Sequence, residues 1–137
     1  MSEGIKMSNN KRHFIIYIAG KYTDNSKTSI QKNILTSRKY AIKLWDRGFT
    51  VITPHLNVAN FEYLLKKTTY DDITEGSLEI ISRCDAVFML PNWKRSNGAK
   101  IERKYAYSKN ITVYYNLKEL DDDFKYHPLK ELITNAS

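Results

Sequence analysis

The sequence predicts an α/β protein: an open, mostly parallel sheet of four to five strands with helices on both faces. Two observations carry this. The runs HFIIYIA (13–19) and DAVFML (85–90) are continuously apolar, as strands buried on both faces are, rather than alternating. Between and after them lie stretches whose apolar residues recur at helical spacing, and this alternation of strand and helix is how parallel sheets are connected.

Residues 1–12 are polar and read as a flexible N-terminal arm. The first strand follows at 13–19 and stops at Gly20. From Ser26 to Arg47, Ile30, Ile34, Leu35, Ala41, Leu44 and Trp45 keep a helical period, with Trp45 expected in the core and Gly48 at the usual place for a helix end. A short second strand is expected at 49–53, ended by Pro54. Residues 55–69 show helical character in their second half and read as an excursion beside the site. A helix over 72–83 carrying Leu78, Ile80 and Ile81, the strand 85–90, a helix over 96–110 and a strand at 111–115 complete the unit. The α/β domain thus spans 13–117, and 118–137 read as a C-terminal helix and tail packed on the same domain.

Composition narrows the function classes. At 137 residues the chain suits one domain with a core that needs no staples. One cysteine, Cys84, permits no disulfide within the chain. No segment holds the roughly 20 apolar residues that cross a bilayer, and the opening residues lack the apolar core of a secretory signal, so a cytoplasmic protein without membrane contact is expected. With no His or Cys cluster, neither metal nor cofactor is expected. The net charge of +7, from 22 Lys and Arg against 15 Asp and Glu, favours anionic partners. The excess reads as dispersed, with no basic run interleaved with stacking aromatics and no nucleic-acid-binding signature. Phosphate on a small molecule explains the charge equally well.

Ligands of open parallel sheets bind beyond the carboxyl ends of the strands. In the loop GKYTDNS (20–26), Gly20 permits close backbone approach, Lys21 supplies a cation and Tyr22 a ring that can stack on a base or pack over the sheet edge. The loop is neither a P-loop nor a GxGxxG turn, which argues against nucleoside triphosphatases and dinucleotide enzymes. His55 in TPHLN reads first as a hydrogen-bonded structural residue, and Asp85 as an anchor for the turn before its strand. The third loop, PNWKRSNGAKIE (91–102), says most. Ser96 is a good N-cap, and Asn97, Gly98 and Ala99 then offer unpaired N–H groups to an anion. Trp93 can stack on a base or pack over the sheet edge. Gly98, Ile101, Tyr105 and Ala106 form an apolar stripe, and Glu102 falls inside it, where a carboxylate is desolvated and suited to act as a nucleophile or general base. An ion pair at the edge of the core is the plain alternative.

IYIAGKYT (16–23), LWDRGF (44–49), VITPHLN (51–57), CDAVFMLPNW (84–93) and SNGAKIERKYA (96–106) together resemble the nucleoside 2-deoxyribosyltransferase-like superfamily, over roughly residues 14–115. Within it they are most similar to a small branch frequent in phages and bacteria. The resemblance implies a flavodoxin- or Rossmann-like fold, cleavage of the N-glycosidic bond of nucleosides or nucleotides, and a homo-oligomer. It also implies that Glu102 is the nucleophile. Where relatives acting on free nucleosides carry an aspartate six residues before the glutamate, the 2′-deoxynucleoside 5′-monophosphate N-hydrolases carry a phosphate-binding serine; here it is Ser96. The aspartate that helps the base depart is replaced by Ser77, so that Asp72 or Glu75 takes over protonation, or the reaction is slow, or the fold binds a nucleotide without cleaving it. The expected site is therefore catalytic Glu102 and Asp72, with Gly20, Lys21, Tyr22, Trp93, Ser96, Asn97 and Gly98 around the substrate. A nucleic-acid-associated protein remains as a further alternative.

Overall fold

The computed structural model describes residues 10–57 and 66–125. Four strands, β1 (Ile15–Ala19), β2 (Thr50–Ile52), β3 (Ala86–Met89) and β4 (Thr112–Tyr114), form one sheet in the order β2-β1-β3-β4, and every neighbouring pair is parallel. The fold is thus α/β, of flavodoxin- or Rossmann-like type. The expected arm, the excursion's second half and the tail lie largely outside the described residues.

Among the described residues five helices flank the sheet: α1 (Lys27–Asp46), α2 (Pro54–Asn57), α3 (Tyr70–Ile81), α4 (Asn97–Ser108) and α5 (Leu117–Phe124). Period-two alternation sorts the central strand onto two cores. Ile16 and Ile18 join Ala41 and Leu44 of α1, Phe88 of β3 and Leu120 of α5 on one face. Tyr17 and Ala19 join Ile81 of α3, Val87 and Met89 of β3, and Ala99 and Ala106 of α4 on the other. Each fully buried Ile, Leu or Phe stabilises the fold by about 1.5–3 kcal/mol, which explains why unbroken apolar runs were needed in the two inner strands.

Helix boundaries follow capping chemistry. Ser26 caps α1 by accepting from Ser29 N at 3.1 Å, and Gly48 leaves it with φ 100°. α3 starts two residues earlier than the apolar period implies because Thr69 is its cap: Thr69 Oγ1 accepts from Asp72 N, and Asp72 Oδ2 accepts from Thr69 N at 2.8 Å. The first strand is shorter than its apolar run, since His13 ends a 3₁₀ turn over Asn10–His13. Arg47 closes one end of the molecule, gripping Asp121 through Nε at 2.7 Å and a terminal nitrogen at 3.0 Å, so that α1 and α5 are tied together.

Trp45 is not a core residue. α1 buries Ile34, Ser37, Ala41 and Leu44, a narrow stripe of i, i+3, i+7 and i+10, and Trp45 lies one step beyond it, 42% exposed, with the Arg12 guanidinium 5.4 Å from its ring. No helix among the described residues is long and apolar enough to cross a membrane.

Candidate functional site

The chain leaves β1 through α1 toward β2 and then crosses back over β1 to reach β3, so connections diverge from the carboxyl ends of β1 and β3. A crevice opens at such a reversal, and here it is a cleft of about 510 Å³. Tyr17, Gly20 and Tyr22 enter it from β1 and its loop, and His55 from α2. α3 contributes Tyr70, Asp72 and Ser77, and α4 contributes Ser96, Gly98 and Glu102.

Glu102 lies on the inner face of α4. That face is Ala99, Glu102 and Ala106, spaced i, i+3 and i+7, whereas Ile101, expected in the same stripe, is 44% exposed. The helix is thus rotated from the apolar count, because small residues let it approach the sheet closely. Tyr17, 1% exposed, donates its hydroxyl to Glu102 Oε2 at 2.5 Å. Desolvation raises the Glu102 carboxyl from its ordinary 4.5 to about 7, against the opposing effect of the Tyr17 bond. Tyr17 is raised well above its ordinary value, by burial first and then by the facing carboxylate. Near neutral pH Glu102 is therefore divided between a protonated and an ionised form.

At the start of α4, Ser96 Oγ accepts from Ala99 N at 3.0 Å. The N–H groups of Asn97 and Gly98 precede the first bond within the helix, Lys100 N to Ser96 O at 3.1 Å. The two loops are stitched together beside this end. Lys21 N donates to Asn92 Oδ1 at 2.9 Å and Lys21 Nζ to Arg95 O at 3.2 Å. Gly20 is required by that closeness, since a Cβ there would stand 2.5 Å from Leu90 Cδ1 and 2.9 Å from Asn92 Oδ1. His55, 5% exposed, bonds Lys21 O through Nε2 at 3.0 Å, and burial lowers its pKa, so it holds the loop as a neutral ring.

A family model described as a domain of unknown function (DUF4406) matches residues 14–115. The chain belongs to the DUF4406 family. No curated protein matches it. The matched stretch runs from the residue before β1 to the residue after β4, so the family unit comprises the whole sheet and every residue of the cleft, while α5 lies outside it.

Within this DUF4406 domain the expected site residues divide. Glu102, Asp72, Gly20, Tyr22, Ser96 and Gly98 converge on the cleft. Lys21 and Asn97 do not line it: Lys21 ties the loops from behind, and Asn97 is the exposed first residue of α4. Trp93 is also outside, packed 5.8 Å from Tyr115 and 4.8 Å from the Arg103 guanidinium at the sheet edge. Asp72 lines the cleft but spends one oxygen on the Thr69 cap, and Glu75 is exposed outside the cleft. Asp85, expected to anchor the turn before its strand, instead accepts from Ile15 N at 2.7 Å and so ties the start of β1 to the start of β3. Among the described residues no group of three or more His, Cys, Asp or Glu is placed to hold a metal. Sequence reading missed Tyr17, although a tyrosine inside an aliphatic buried strand needs a partner for its hydroxyl, and that need was the available signal.

Proposed function

We propose that this cleft cleaves the N-glycosidic bond of a nucleotide, as a 2′-deoxynucleoside 5′-monophosphate N-hydrolase or a deoxyribosyltransferase-like enzyme does. The observation that carries the reading is the desolvated Glu102 carboxylate, which lines the cleft, is held by the Tyr17 hydroxyl at 2.5 Å and lies about a turn and a half of α4 from a capped helix start. The resemblance of SxGxxxE (96–102) to the monophosphate hydrolases supports the phosphate as substrate group.

In this reading the phosphate sits at the Ser96–Gly98 end, where the N–H groups and the helix dipole favour an anion. Ionised Glu102 attacks the anomeric carbon. The C–N bond breaks with its electron pair going to the base, which takes up a proton, and a glycosyl ester of Glu102 remains. Water then adds to the anomeric carbon, the ester C–O bond breaks toward Glu102, and the water's proton is released; with a second base in place of water the outcome is transfer. Tyr17 holds the carboxylate in position and favours its ionised form. Asp72 is the carboxyl group of α3 that reaches the cleft for protonation of the leaving base. A homo-oligomer that closes the cleft belongs to the same proposal.

Chromatography of free base after incubation with nucleosides and their 5′-monophosphates tests this. Release from monophosphates by the native chain and not by Glu102→Gln is the expected result; release undiminished by Glu102→Gln would refute the mechanism. Ser77, standing where relatives carry an aspartate, favours one second reading, a module that binds a nucleotide without cleaving it. That reading gives saturable nucleotide binding, no base, and binding that survives Glu102→Gln.

A further inference from the structure

The solvent face of α4 is strongly basic. Lys100, Arg103, Lys104 and Tyr107 recur at i, i+3, i+4 and i+7, one stripe directed away from Glu102. With Lys94, Arg95 and Lys109 at its two ends, this stretch carries six cations, while its one carboxylate, Glu102, is turned into the cleft. Among the described residues, no ion pair involves any of the six.

Arg103 is held flat among rings. Its Nε donates to Tyr115 Oη at 2.6 Å, and its guanidinium lies 4.8 Å from the Trp93 ring and 5.1 Å from that of Tyr107. The Tyr107 and Tyr115 hydroxyls meet at 2.6 Å, and Tyr107 is still 49% exposed. The expectation that no basic run is interleaved with aromatics fails here, because two of the rings, Trp93 and Tyr115, come from elements flanking the helix.

We propose that this face binds single-stranded nucleic acid, independently of the cleft chemistry. Lysines spaced along one helical face neutralise successive phosphates. An immobilised guanidinium beside open tyrosine offers a plane on which bases stack whatever their sequence. Clustered unpaired cations repel one another, and a polyanion relieves that repulsion. A second copy of the chain does not: a twofold contact through this stripe would set the same cations opposite themselves.

The test is fluorescence anisotropy of a labelled single-stranded DNA of about 15 nucleotides with the whole protein over a salt series, heparin serving as a polyanion without bases. Binding that weakens with salt is expected. Lys100→Ala with Lys104→Ala, both exposed, lowers affinity at least about tenfold and reduces the salt slope by roughly 1.4. Tyr107→Ala weakens binding of DNA but not of heparin, and Glu102→Gln changes neither. No binding at low salt, binding indifferent to the lysine substitutions, equal effects of Tyr107→Ala on DNA and heparin, or loss with Glu102→Gln would each overturn the proposal.

Discussion

Tyr17 and Glu102 stand 85 positions apart in the chain and share one proton-bearing contact, Tyr17 Oη to Glu102 Oε2 at 2.5 Å. The strand fixes the phenol and the helix fixes the carboxylate, so neither group moves without disturbing packing on the α3–α4 face. Burial raises Glu102 to about 7 while the tyrosine bond pulls it down. In the proposed mechanism base release needs the ionised carboxylate, so its rate should climb as pH rises through about 7 and level off above. Tyr17→Phe deletes the opposing bond and should shift that climb to higher pH, with a lower plateau. A pH–rate profile of both proteins decides it; an unshifted midpoint would remove Tyr17 from any role in setting the carboxylate's charge.

The same shift has a consequence for stability. A carboxyl that keeps its proton to about 7 when folded and releases it near 4.5 when unfolded makes the unfolded chain the weaker proton binder between those values. Native stability should therefore fall as pH rises from 4.5 to 7 and stay lowered above. Glu102→Gln cannot ionise, so it should gain on the native chain across that window, by at most about 3 kcal/mol at pH 8. Thermal unfolding of both proteins at pH 4.5 and pH 8 measures this; an equal difference at the two values would mean that Glu102 is not held protonated.

Ser77 is half-buried in α3, donates to Ile73 O at 2.9 Å and lines the same cleft as Glu102. In the proposed mechanism a carboxyl group at this position would face the leaving base, and general acid assistance is worth about 10² to 10⁴ in rate. Ser77→Asp should then accelerate base release. It should also raise Glu102 further by placing a like charge nearby. A slower variant at every pH, measured by base release, would show that Asp72 already serves and that the added charge only hinders.

How much of this was legible in the sequence depends on whether a residue's partner is local. Ser96 was readable as a cap because it bonds a backbone N–H three residues on. The strands were readable because burial on both faces leaves no polar alternation. Glu102 stood out as a charge within an apolar stripe, even though the helix turns Ile101 outward and Ala99 inward. Long-range partners left no such trace: Tyr17 looked like one more strand residue, Trp45 like a core residue although Arg12 lies over it, and Trp93 stood open between stacking on a base and packing at the sheet edge, where Arg103 lies over it. The start of α3 was misplaced for a local reason, since Asp72 can cap a helix itself but here serves as the third residue of a box capped by Thr69.

Gly20 supplies the last prediction. It ends β1 where the loops from β1 and β3 come closest, and a Cβ would overlap Leu90 Cδ1 and Cβ at 2.5 and 2.7 Å, with Asn92 Oδ1 at 2.9 Å. Leu90 is fully buried, so it cannot swing into solvent, and Asn92 is held by Lys21 N. Gly20→Ala must therefore move one loop, at a cost of about 1–3 kcal/mol. Because the displaced loop carries Lys21, whose carbonyl holds His55, and Tyr22, substrate affinity should suffer more than the unfolding temperature alone implies. Urea unfolding together with nucleotide binding separates the two effects. Unchanged binding alongside reduced stability would confine Gly20 to packing, whereas a loss of both ties the tight turn to the shape of the cleft.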